Sequence, residues 1–245
     1  MVYDFHSHAL FNMDDGAKDM GMSKAMLIKS KDMGVDCVLL TSHCYPYSTK
    51  DIDRYIEKRE LSYNALQGIG GMPELYKGCE AHLTGDITKF RDIKRLCIEN
   101  TDYMLLEMPH TPWNDKTIEN VYKLTLKGII PIIAHDERNM HQKREFRNAL
   151  YDLDVLIQIN APSLFMFSYR KEIDRMLKLG LGHIIGTDMH NLTSRKPCMD
   201  RAEKKIKHRY GAECWDYFME NADKVLKNDR ISYKEFKSFK KKNIL

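Results

Sequence analysis

With 245 residues, 43% hydrophobic and 30% charged, the chain can bury one large core and has the composition of a soluble globular protein. The formal net charge of +4 is small for this length. The lysines and arginines are spread along the sequence, which excludes the basic and aromatic stripe of a nucleic-acid-binding protein. No apolar run approaches the roughly 20 residues of a membrane span, so the chain is expected not to cross a membrane.

The basic run Lys240-Lys241-Lys242 reads as a solvated terminus. Nothing resembling a basic segment and apolar leader precedes Val2-Tyr3-Asp4. The cysteines, Cys37, Cys44, Cys79, Cys97, Cys198 and Cys214, lack CxxC spacing and read as reduced thiols. Together these features predict a cytoplasmic protein.

In chain order, Val2-Tyr3-Asp4-Phe5 is a short strand that delivers His6 and His8, and residues two apart on a strand face the same way. Asp14-Asp15-Gly16 then places carboxylates in the following loop. Residues 23–33 have helical spacing and stop at Gly34, and the apolar run 35–41 is a strand leading into Ser42-His43. A charged helix over 51–66 precedes a strand over 75–79 that ends on Glu80. A helix is expected over 87–98, then a strand over 103–106 ending on Glu107.

The alternation continues. Residues 115–126 read as a helix stopped by Gly128, and 129–134 as a strand ending on His135. Residues 142–150 are helical, and 155–159 form a strand ending near Asn160. A helix over 169–179 and a strand over 183–186 lead to Thr187-Asp188-Met189-His190, and helices over 201–210 and 213–226 follow. Seven strand-like segments separated by helices imply parallel strands with helical crossovers. The expected fold is α/β, a seven-unit barrel close to the eightfold kind, in a single domain spanning 1–245.

In such folds the active site lies at the carboxyl ends of the strands. The residues placed there are His6, His8, Asp14, His43, Glu80, Glu107, His135, Asp188 and His190. Packing does not require metal-ligand side chains at nearly every strand exit. Imidazoles and carboxylates without cysteine suit Mn²⁺, Fe²⁺ or Zn²⁺. Nine ligands exceed one ion and suit two or three bridged by a carboxylate, an arrangement that activates water and clamps a phosphoryl group. The remaining histidines, His82, His110, His141, His183 and His208, read as structural or exposed.

HSH with DDG, SH after the second strand, then AHDER and GTDMHN, resemble in content and order the PHP (polymerase and histidinol phosphatase) superfamily. Within it, the resemblance is to the manganese-dependent protein tyrosine phosphatases of bacterial capsule and exopolysaccharide loci, and it runs from Tyr3 to about Asn221. It implies a distorted (β/α)7 TIM-like barrel of the PHP type binding two or three Mn²⁺. By this resemblance His6, His8, Glu80 and Asp188 hold one ion. Glu80, Glu107 and His135 hold a second, and Asp14, His43 and His190 a third. Arg138 and Arg195 bind the substrate phosphate, for which the planar guanidinium fork is suited.

The implied activity is hydrolysis of phosphotyrosine in protein, with an autophosphorylating bacterial tyrosine kinase of polysaccharide synthesis as partner. Three other readings compete. Cysteine-dependent phosphatases need Cys-x₅-Arg, but six residues after Cys44 stands Lys50, and no other cysteine has Arg at that offset. The histidinol phosphatase branch shares nearly the same ligands, but often has histidine where this chain has Asp14. A non-catalytic metal-binding PHP module would be expected to have lost ligands. Two departures bear on substrate preference: Asp136, where the family usually has proline or a branched apolar residue, and the loop His43-Cys44-Tyr45-Pro46-Tyr47.

Overall fold

The computed structural model describes residues 1–231 and 233–237; the run Lys240-Lys241-Lys242 lies outside the described residues. Among the described residues, nine strands, all paired in parallel, form two sheets. One sheet has the order β1 (Tyr3–Ser7), β2 (Cys37–Leu40), β4 (Glu74–Lys77). The other has the order β3 (His43–Cys44), β5 (Glu80–His82), β6 (Tyr103–Glu107), β7 (Ile130–Ile133), β8 (Leu156–Asn160), β9 (Ile184–Gly186). Two of the seven expected strands, over 35–41 and 75–79, are each followed closely by a further short strand, so that β2 and β3, and likewise β4 and β5, belong to different sheets.

The first and last strands are brought together at their carboxyl ends. A parallel bridge joins Ser7 to Met189, and His8 N–H donates to Met189 O at 2.8 Å. The Asp188 N–H donates to His6 O at 2.7 Å. The buried Asp4 carboxylate accepts from Thr187 N–H at 2.7 Å and from its hydroxyl at 2.5 Å. Gly186 permits the approach, because a Cβ there would lie 2.5 Å from His6 Cβ and 2.6 Å from His6 N.

Helices α1 (Met20–Asp32), α2 (Thr49–Leu66), α3 (Asp115–Leu126), α4 (Arg144–Tyr151), α5 (Phe167–Lys178), α6 (Met199–Tyr210) and α7 (Ala212–Leu226) connect or follow the strands. The apolar strand run CVLL is wholly buried, as are IPII and all of LIQIN. Strands covered on both faces read as continuous apolar segments, which is why they were legible without alternation.

The helix expected over 87–98 is absent, and two 3-10 turns, Ile87–Lys89 and Ile93–Leu96, take its place. Asp86 caps the first by accepting from Thr88 N–H, Phe90 is extended, and Asp92 is left-handed at φ 58°. The local bonds of Asp and Thr side chains compete with helix here.

Candidate metal centre

Successive strand ends converge on one buried cluster. His6 and His8 turn their Nε2 atoms to within 3.1 Å of each other, and each lies 3.2 Å from Glu80 Oε2. Asp188 Oδ1 lies 3.7 Å from His6 Nε2 and 3.4 Å from His8 Nε2. His43 Nδ1 is 3.0 Å from Glu80 Oε2 and 3.7 Å from Glu107 Oε2. His135 Nε2 is 2.8 Å from Glu80 Oε1 and 3.9 Å from Glu107 Oε1. Glu80 is therefore the hub, with one oxygen toward His6, His8 and His43 and the other toward His135.

The opposite ring nitrogens are held from outside. Gln158 Oε1 accepts from His6 Nδ1 at 3.2 Å and from the backbone N–H of His135 at 2.8 Å. Gln158 also donates to Asn160 Oδ1 at 3.0 Å, and Asn160 donates to Asp188 Oδ2 at 2.9 Å. Such outer contacts set the tautomer and aim of a ligating histidine. Two members of the cluster, His135 (φ 34°) and Asp188 (φ 54°), sit in the left-handed region. That conformation is uncommon outside glycine, although aspartate and histidine adopt it more readily than most residues, and it clusters at functional sites.

Asp14, expected as a ligand, stands behind the converging set. Its carboxylate accepts from His8 Nδ1 at 2.7 Å and from the His43 N–H at 2.7 Å, so it orients two cluster histidines from behind. The next residue, Asp15, faces the centre, with Oδ1 3.3 Å from His190 Nε2 and 3.9 Å from His43 Nε2. His8, Asp15, His43 and His190 have donor atoms within 4.8 Å of one another, as do His6, His8 and Glu80, and His43, Glu80 and Glu107. Gly16 closes the DDG turn against His8, whose carbonyl oxygen would lie 2.2 Å from a Cβ at that position.

The donor chemistry fits cations. Glu80 Oε2, His43 Nδ1 and His190 Nε2 are buried without a hydrogen-bond partner, a costly state for polar atoms unless an ion takes their lone pairs. Burial pulls the His8 imidazolium down, but the hydrogen bond to Asp14 and the close Glu80 carboxylate overcome it and push its pKa up to about 10. Burial raises Asp14, and its bond to His8 more than reverses this, bringing it to about 2. Burial opposes ionisation of Glu80, yet the surrounding histidines hold it well below the usual carboxylate range. The cluster thus demands positive charge, which a divalent cation supplies in place of protons.

Arg138 and Arg195 both reach Asp188, with Nη2 atoms 2.7 Å from Oδ2 and Oδ1 respectively. Together with His43, Glu80, Glu107 and His135 they line an open cavity of about 300 Å³. His82, expected to be structural, instead places Nδ1 2.9 Å from Glu107 Oε2 beside this cavity. The period-two spacing of Glu80 and His82 on one strand was the signal for it. Asp136 lies outside the centre. It is buried in a separate network, accepting from Tyr151 Oη at 2.5 Å and facing Arg147 Nη2 at 3.4 Å. Cys44 is buried, and burial pushes its thiol up to about 12, the opposite of an activated nucleophile. All six cysteines are free thiols.

Residues 2–227 match the family described as capsular polysaccharide synthesis, CpsB/CapC. The chain belongs to that family. It is 30% identical to the tyrosine-protein phosphatase CpsB of Streptococcus pneumoniae, over 94% of this chain and 100% of that one. It is 30% identical to the putative tyrosine-protein phosphatase CapC of Staphylococcus aureus, and 28% identical to the tyrosine-protein phosphatase YwqE of Bacillus subtilis, each over 94% of this chain and 93% of the relative. Among solved structures, those of YwqE from B. subtilis and CpsB from S. pneumoniae, described as metal-dependent tyrosine phosphatases, include a chain that superposes with a TM-score of 0.80. The match has 25% identity and covers 98% of this chain and 100% of that one. No helix among the described residues is long and apolar enough to cross a membrane.

Proposed function

We propose that the chain is a metal-dependent protein tyrosine phosphatase of the cytoplasm. Its preferred metal is Mn²⁺, and its substrate is an autophosphorylating tyrosine kinase of capsule or exopolysaccharide synthesis. The carrying observation is the Glu80 hub, with two arginines at the mouth of the same cavity. Family membership supports the reading, since CpsB and YwqE bear the name tyrosine-protein phosphatase. The fold is read as a distorted (β/α)7 barrel of the PHP type, supported by the isolated parallel bridge that joins Ser7 of β1 to Met189, just past the end of β9.

In this proposal His6, His8, Glu80 and Asp188 hold one ion, and Glu80, Glu107 and His135 a second. His43 and His190 hold a third with Asp15, which replaces Asp14 in the ligand set. When bound, the ions supply Lewis acidity and an activated water. Arg138 and Arg195 grip the equatorial phosphoryl oxygens through paired charge-assisted bonds. Arg138, three residues after His135, acts mainly through kcat, and Arg195, beyond the last ligand, mainly through KM. A phenolate, whose conjugate acid has a pKa of about 10, departs with less proton assistance than an alkoxide.

The test strips the protein with a chelator and reloads it with Mn²⁺, Fe²⁺ or Zn²⁺. Rates are then compared on a phosphotyrosine peptide and on histidinol phosphate. Activity returning best with Mn²⁺ and on the peptide is expected. A folded protein that binds none of these metals sinks the proposal, and faster turnover of histidinol phosphate moves the chain to the other branch.

A further inference from the structure

A second cavity, of about 390 Å³, opens beside the metal centre and shares Arg138, Asp188 and Arg195 with it. Its far wall carries Lys196, Arg201 and Phe165. Four of the lining side chains are cationic, and the only carboxylate among them is Asp188, already held by both arginines at 2.7 Å. Among the described residues, neither Lys196 nor Arg201 has a carboxylate oxygen within the 4.0 Å of an ion pair. The Arg201 guanidinium lies over the Phe165 ring, 4.4 Å from its centroid, which restrains it at the cavity wall. Phe165, Met166 and Phe167 extend this wall as an exposed apolar shelf, with exposures of 38%, 48% and 83%.

We propose that this cavity receives an acidic segment of the substrate polypeptide adjoining the phosphotyrosine, so that the enzyme selects phosphotyrosines flanked by aspartate or glutamate. The proposal rests on the phosphatase reading. Cations gathered around a concave space repel one another, and opposing carboxylates relieve that repulsion. The occupant must also be continuous with the phosphoryl group, because the two cavities share the arginines that grip it. An extended peptide meets both demands: its phosphotyrosine enters the metal cavity, neighbouring carboxylates meet Lys196 and Arg201, and its apolar stems lie on Phe165 and Met166.

The test uses the metal-loaded enzyme and its Lys196→Gln/Arg201→Gln variant on three substrates: free phosphotyrosine, a phosphotyrosine peptide with flanking glutamates, and the same peptide with alanines. The native enzyme is expected to prefer the acidic peptide by at least about fivefold in kcat/KM, through KM, as two exposed ion pairs allow. Salt should erode the preference. The variant should lose it while hydrolysing free phosphotyrosine within about twofold of the native rate. Equal rates of the native enzyme on both peptides, or an undiminished preference in the variant, overturns the proposal. Failure of the phosphatase reading appears separately, as no hydrolysis of free phosphotyrosine. In that event, fluorescence anisotropy of a labelled, unphosphorylated acidic peptide still decides: tighter binding to the native protein than to the variant supports the subsite, and equal binding overturns it.

Discussion

At the scale of single residues, the adjacent carboxylates Asp14 and Asp15 divide two tasks between them. Asp14 faces His8 Nδ1 and the His43 N–H, while Asp15 faces His190 and His43. Asp15→Ala is therefore expected to lower metal content by one ion per chain, leaving the sites around Glu80 filled. Asp14→Asn keeps an acceptor for His8 and the His43 amide, so it should retain the number of ions but weaken their binding by about ten- to a hundredfold. Metal analysis with a competition titration distinguishes the two, and loss of an ion in the Asp14 variant alone would restore Asp14 as the ligand. The sequence made the DDG loop legible as a source of oxygen ligands. It could not say which carboxylate turns inward, because one residue of turn geometry reverses the answer and nothing in residue type encodes it. Gln158 and Asn160 were hidden for a related reason: their importance lies in hydrogen bonds to His6, His135 and Asp188, contacts between distant segments. Asp136, by contrast, drew attention through its charge and proximity in sequence, yet its carboxylate is spent on Tyr151 and Arg147.

At the scale of elements, the strand ends were readable because apolar runs terminate on imidazole and carboxylate side chains of the metal-ligand type. The breaks between β2 and β3 and between β4 and β5 were not. The sequence predicts one strand over 35–41 with His43 just past its end, but Thr41 N–H donates to Ser7 O at 2.8 Å, while Glu80 N–H donates to Thr41 O at 3.0 Å. Those pairings, not propensity, decide where each strand changes sheet. The junction of β1 with β9 is the element contact on which the centre most depends, since it sets His6 and His8 against Asp188. Gly186→Ala forces its Cβ against the His6 backbone and Cβ. The expected cost is about 1–3 kcal/mol of stability, together with lost metal affinity as β9 shifts from β1. Gly34→Ala is the control. Gly34 has φ 85° with nothing within 4 Å of an added Cβ, so strain should lower its melting temperature while metal content stays at the native value. Equal metal content in both variants would show that the strand junction does not set the ligand geometry.

At the scale of the whole molecule, the centre ties together residues from His6 to His190, so metal binding and stability of the assembled strands are linked. The sign of the pH dependence follows from His8. Its imidazolium is held up to about 10 by Asp14 and Glu80, so near pH 7.5 the metal-free centre carries that proton. A cation that takes the His8 lone pair must expel it. Proton release on binding means that affinity rises with pH, by about tenfold per pH unit for each proton released while the group stays below its metal-free pKa. Metal-induced stabilisation should accordingly shrink as the solution is acidified from pH 8 toward pH 6, while salt of fixed composition leaves the trend in place. Calorimetric titration of the stripped protein with Mn²⁺ at pH 7.5, in two buffers of different ionisation enthalpy, measures the release directly. About one proton or more per chain is expected, with the His8→Asn variant releasing fewer. Identical heats in the two buffers, or affinity unchanged across this pH range, would mean that His8 keeps its proton and does not ligate metal, and that the ions are held by the carboxylates with the remaining histidines.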